Sequence, residues 1–243
     1  MKRIVGYMTN PPPTLWDNKV FISLISVAAG WVLAQGTALT RDFYIAWKLK
    51  RALLKELEDI REQLERVAVA YLRNLQFYAL RGIENSVPNG VPNLFFKQYY
   101  KEVFYRLNRE QRLSYQLIHG TIDRLNADSD DHLKFSKATA EKLRHSEDQE
   151  EFDRAVDLSG DRVMALYSSA RDAIFYIDFH LRNQRCPKWE FHGPMHKSYL
   201  QFVEKVRQEM NDVIEAAKGK IKREDLEKIY HENMFPPDAP AGK

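Results

Sequence analysis

The sequence predicts an all-α protein: an N-terminal single transmembrane helix that continues into a long amphipathic, coiled-coil-like helix, then an antiparallel helical bundle. Three observations predict it. No charged residue stands between Lys19 and Arg41. From Arg41 to Arg81 there is neither Pro nor Gly to stop a helix started upstream. Beyond that, stretches rich in Leu, Glu, Lys, Arg, Gln and Ala, which lose little side-chain freedom in a helix, alternate with short polar breaks. Val/Thr-rich alternating runs bounded by turn pairs, the mark of strands, are absent.

The elements follow in chain order. Residues 1–19 read as a short non-cytoplasmic segment. Residues 20–40, Val20 to Thr40, form the transmembrane helix: about 31 Å at 1.5 Å per residue, the thickness of a bilayer's hydrocarbon core. Trp16 before it and Tyr44 and Trp47 after it suit the two membrane interfaces. Arg41, Lys48, Lys50, Arg51 and Lys55 follow the span, whereas only Lys19 lies close before it. The positive-inside bias then puts the N-terminus outside and the body in the cytoplasm, as a single-pass protein of the cell membrane. Two readings compete with this one. Ser23, Ser26, Gln35, Thr37 and Thr40 make the stretch less apolar than a usual anchor, as in a soluble core helix. Val32 and Ala34 before Gln35 have the small-residue look of a signal-peptide cleavage site, opposed by the long leading segment with Pro11, Pro12, Pro13 and Asp17. Ser26, Gly30, Ala34 and Ala38 recur every four residues, a stripe along which a second membrane helix can approach.

Residues 41–82 form the membrane-proximal long helix. Leu53, Leu57, Ile60, Leu64, Val67, Tyr71 and Leu75 recur at steps of three and four, and Glu56, Glu58, Arg61, Glu62, Glu65 and Arg66 read as its solvated faces. Residues 83–235 form the bundle. Asn89-Gly90 and Pro92 break the chain. The pattern then predicts a helix over 93–126 carrying mostly core aromatics, from Phe95 through Tyr105 to Tyr115. A polar loop at "NADSDD" and a shorter helix to about His145 follow. Ser146 and Gln149 read as a capping box opening a helix to about Asn183, in which Ser159-Gly160 is a possible bend. After a loop, a helix over 196–218 and a short one to about 233 complete the bundle, and residues 236–243 are a loose tail. Amphipathic helices joined by short loops bury their apolar faces most economically as an antiparallel bundle.

Composition limits the function classes. A net charge of +3 is too small for a dedicated nucleic-acid binder, so no nucleic acid is expected as a partner. The single cysteine, Cys186, forbids an internal disulfide and fits a reducing compartment. Phosphate-binding loops, dinucleotide fingerprints, hydrolase elbows and Glu-x-x-His pairs are absent. The one cluster with metal-binding chemistry is His180, Cys186, His192 and His196: four soft donors at short intervals, enough to close a zinc tetrahedron, though not at the spacing of a finger or ribbon. The competing reading makes it a helix–helix corner shaped by Pro187 and Pro194 and plugged by Trp189 and Phe191. No cofactor is otherwise implied, and enzymatic activity is not the leading expectation. That expectation is a membrane-anchored scaffold, sensor or adaptor that meets the lipid bilayer, its own copies as a homo-oligomer and a protein partner of unknown identity. The alternatives are a membrane-perturbing oligomeric effector and a metal-dependent enzyme using the His/Cys corner.

Overall fold

A computed structural model describes residues 19–84, 86–144, 148–190 and 192–220. These contain five α-helices and no strand: α1 (Lys19–Ala79), α2 (Leu94–Val103), α3 (Arg109–Leu143), α4 (Gln149–Arg182) and α5 (Pro194–Lys220). A 3-10 turn, Phe104–Arg106, follows α2. The predicted short helix to about 233 and the tail lie outside the described residues. The all-α expectation is met, and α1 runs without interruption across both predicted parts of the long helix.

The chain divides into two compact units at Leu49–Lys50. In the first, every described side chain from Ile22 to Ile45 is exposed. In the second, the body, α1 turns a stripe of apolar residues inward. Leu53, Leu57, Leu64 and Leu75 have no exposed surface at all, and Ile60, Val67, Ala68 and Tyr71 complete the row. Tyr115, Ile118, Ile122 and Leu125 of α3, Val156, Val163, Ala170, Ile174 and Ile177 of α4, and Val206, Met210 and Ile214 of α5 close the core.

Paired side chains give the helix directions. Arg61 meets Asp178 at 2.5 Å, and Arg81 meets Asp153 and Asp157 at 2.5 Å, so α1 and α4 are antiparallel. Ser114 meets His180, and Lys142 meets Glu151, so α3 and α4 are antiparallel too. Asp172 with Tyr199, and Ser168 with Met210, set α5 against α4 in the same sense. By contrast, Lys50 meets Arg106 and Tyr71 meets Ser129, so α1 and α3 point the same way. The segment between them brings the chain back. Side chains pin it: Asn126 gives and takes a hydrogen bond with the Val91 backbone, both 2.9 Å, and Asn74 donates to the Ser86 carbonyl.

Three local expectations need correction. The predicted loop at "NADSDD" is helix, the middle of α3. Asn, Asp and Ser favour loops because their side chains bond nearby backbone. Here Asn126 spends its amide on Val91, and Ser129 accepts from the Tyr71 hydroxyl at 3.0 Å, so neither competes with the helix. The predicted helix over 93–126 is instead broken at residues 104–108. Asn108 opens α3 with a full capping box: it accepts from the Gln111 amide at 2.8 Å, and Gln111 Oε1 accepts from the Asn108 amide at 3.0 Å. Finally, α4 is capped by Asp148, which accepts from the Glu150 and Glu151 amides, in place of the predicted Ser146, which lies outside the described residues.

Gly160 is a packing glycine and α4 continues through it: an added Cβ would stand 2.5 Å from the Tyr78 ring. At the end of α1, Arg81 takes a left-handed conformation (φ 55°), a position where glycine is usual. Its double pairing with Asp153 and Asp157 holds it there.

Candidate functional site

The first part of α1 is the most unusual surface of the molecule. It contains a window of mean hydropathy 1.6, none of it buried, and it is long and apolar enough to cross a membrane. Leu24, Val27, Trp31, Leu33, Leu39 and Phe43 are each 57–69 % exposed. Soluble monomers rarely expose a contiguous apolar patch above a few hundred Å². The apolar residues also point all round the helix and form no stripe, the pattern of a helix with an apolar medium on every side.

Three of the hydroxyl groups in this stretch bond within the helix. Ser26 donates to the Ile22 carbonyl at 2.9 Å; Thr37 donates to the Leu33 and Ala34 carbonyls; Thr40 donates to the Gly36 and Thr37 carbonyls. Hydroxyls satisfied by the preceding turn carry little penalty in hydrocarbon, so these residues are compatible with a span. Of the predicted packing stripe, Ser26, Gly30, Ala34 and Ala38 are all exposed, and nothing approaches the Gly30 face within 4 Å.

The structure does not gather the predicted His/Cys set. His180 is buried in the last turn of α4, with Nδ1 2.8 Å from the Ser114 hydroxyl. Cys186 is exposed in the following loop. His192, at a left-handed φ of 68°, has its ring 5.9 Å from that of His196. Among the described residues no three His, Cys, Asp or Glu side chains are grouped to hold a metal ion. The corner reading describes the packing better. Trp189 sits against Tyr176 and Phe179, with ring centroids 4.9 and 4.7 Å apart; Pro187 is buried; Pro194 opens α5, where its missing N–H costs nothing. Phe191 lies outside the described residues.

His180 belongs to a different cluster, a buried layer of rings between α2, α3 and α4. Phe96 stacks on His119 at 3.6 Å and 11°, and Tyr115 lies 4.4 Å from His180. Burial pushes the His119 pKa down to about 3 and the His180 pKa down to about 4. Both imidazoles are therefore neutral over the physiological range and pack as flat rings in the core.

Sequence reading missed the role of Glu56, which it took for part of a solvated face. Its carboxylate accepts from the Phe95 and Phe96 amides, each at 2.9 Å, and so caps α2 from a different helix. α2 needs that cap because its own Asn93 makes no capping bond and reaches Asp123 instead. Burial raises the Glu56 pKa, the two backbone donors opposing it. The aromatics of this region are not all core either: Tyr105 is 89 % exposed, and Leu113 and Leu117 also face outward.

Comparison with known proteins gave no family: no family model matches the chain, and no curated protein or solved structure matches it.

Proposed function

We propose that the protein is a single-pass membrane protein, held by the first part of α1, whose helical body works at the inner face of the membrane by binding itself and other proteins. The observation that carries the reading is the run from Ile22 to Ile45, apolar on every face and exposed throughout. Its window is unburied, and the Ser26, Thr37 and Thr40 hydroxyls are already bonded within the helix. Orientation follows from Arg41, Lys48, Lys50, Arg51 and Lys55 beyond the span against Lys19 before it. Self-association is supported by the open Gly30 face in a row of small residues. Among the described residues the body groups no metal-holding side chains, and His119, His132 and His180 are buried in its core, which supports binding over chemistry.

Extraction is the first test. The chain should stay with membranes through a high-pH wash and leave only in detergent; release as a soluble protein would end the reading. Topology has a built-in probe, because Cys186 is the sole cysteine and is exposed. A membrane-impermeant maleimide should label it in broken cells and leave it unlabelled in intact ones. Crosslinking in native membranes should give a self-crosslinked species that Gly30→Ile with Ala34→Ile abolishes, together with any bound partner.

A further inference from the structure

We propose that the end of the body where the chain enters it is a docking surface for anionic lipid headgroups. The proposal rests on the membrane reading above. Three segments meet at that end. Lys50, the first residue of the body, donates through Nζ to the Arg106 carbonyl at 2.9 Å. Asn108 donates to the Arg185 carbonyl at 2.6 Å, and Gln111 donates to the Gln184 carbonyl at 2.7 Å. These bonds fasten the 3-10 turn, the start of α3 and the loop after α4 beside the point of entry. The segments so joined carry Lys50, Arg106, Arg109, Arg182 and Arg185, and Tyr105 is almost fully exposed in the first of them.

Glu102 and Glu110 are the acidic residues in the same stretch as Arg106 and Arg109, and they leave the cations in excess. Glu190 pairs with Lys188, on which the Glu110 charge also acts, and Asp178 is held by Arg61. Among the described residues no carboxylate lies within ion-pair distance of Arg109, Arg182 or Arg185. The other end of α4 differs: Arg81 is held by Asp153 and Asp157, Lys142 by Glu151 and Arg154 by Glu150. Positive charge is thus concentrated where the chain leaves for its apolar segment. Arginine side chains complement phosphate, and a tyrosine ring suits the headgroup level. Attraction to an acidic leaflet falls off over about a Debye length, ~10 Å at 0.1 M salt, so the expected binding weakens as salt rises. A net charge of only +3 over the whole chain is too small for a dedicated nucleic-acid binder.

The test uses the full chain carrying a fluorophore on Cys186, which sits in the loop concerned. It is reconstituted into vesicles of phosphatidylcholine alone, or of phosphatidylcholine mixed with phosphatidylserine, each containing a headgroup spin-labelled lipid. Stronger quenching in the phosphatidylserine vesicles, relieved by high salt, is the expected result. Arg109→Gln with Arg185→Gln should lose the difference at an unchanged circular dichroism spectrum, and Glu110→Gln should enlarge it. Equal quenching in the two lipids, or no response to either variant, overturns the proposal. So does binding of RNA by the chain in phosphatidylcholine vesicles that the double variant loses, which would reassign the surface. Flotation with phosphatidylcholine vesicles through a high-pH wash reports on the span alone. A chain that floats but shows no lipid-dependent quenching removes this proposal and leaves the anchor standing.

Discussion

The two parts of α1 are built alike and used oppositely. Both are regular helix with large apolar side chains, yet Leu33 is 69 % exposed and Leu57 is fully buried. The difference lies in angular distribution. Before Leu49 apolar residues cover every face, so no single packing surface can bury them. After Lys50 they keep to one stripe, at steps of three and four, with Arg61, Glu62, Glu65 and Arg66 on the other faces. A stripe is satisfied by neighbouring helices, whereas a helix apolar all round needs an apolar surrounding. Hydrophobicity alone does not separate them; its arrangement does.

That contrast can be broken from either side. Leu57→Ala should remove about 2–5 kcal/mol of body stability, as large-to-small core changes do, and leave membrane retention intact. Chemical denaturation and a high-pH wash on the same preparation check both halves. Leu33→Arg should do the reverse: about 2.5–3.5 kcal/mol against insertion, seen as a larger fraction released by the wash, with the melting of the body unchanged.

The glycines sharpen the comparison at a smaller scale. Gly160→Ala forces the Tyr78 ring aside from a Cβ 2.5 Å away and should cost about 1–2 kcal/mol, the overpacking penalty less the helix-propensity gain. Adding Tyr78→Ala should make the glycine substitution neutral or favourable. Gly30→Ala, with nothing within 4 Å, should leave the melting temperature of the body where it was.

A further effect depends on pH. Asp172 accepts from the Tyr199 hydroxyl at 3.2 Å between α4 and α5, and burial raises its pKa from 3.8 to about 6. A raised carboxyl pKa means that the fold favours the protonated form. The contribution is fully present below the unfolded value and is lost as the pH rises through about 6. Asp172→Asn keeps the acceptor without the charge. The variant should match the parent near pH 3.5 and become the more stable of the two by pH 7, in melts recorded across that window.

Much of the fold was legible because it depends on periodicity. The α1 stripe, the α4 face from Val156 to Ile177 and the α5 row of Val206, Met210 and Ile214 all lie where the spacing puts them. What escaped were positions where a polar side chain acts at long range. Asn126 and Ser129 read as loop formers until Val91 and Tyr71 are seen to occupy them. Glu56 reads as solvated until α2 arrives with bare amides. His180 sits in a sequence run with Cys186, His192 and His196, but its partner is Ser114 on another helix. One miss was avoidable: Asn108 and Gln111 have the spacing of a capping box, and the preceding aromatics masked it.

The sequence by itself determined the helical class, the long α1, the exposed apolar segment and the inward stripe, because charge gaps and 3.6-residue periodicity are local properties of the chain. Only the tertiary structure decided that α1 and α3 run the same way, that α3 continues through its polar middle, and that cations from three separate segments collect at one end of the body. Those outcomes depend on which buried polar groups find partners across the fold, and hydrogen bonds between residues far apart in the chain leave no periodic trace in it.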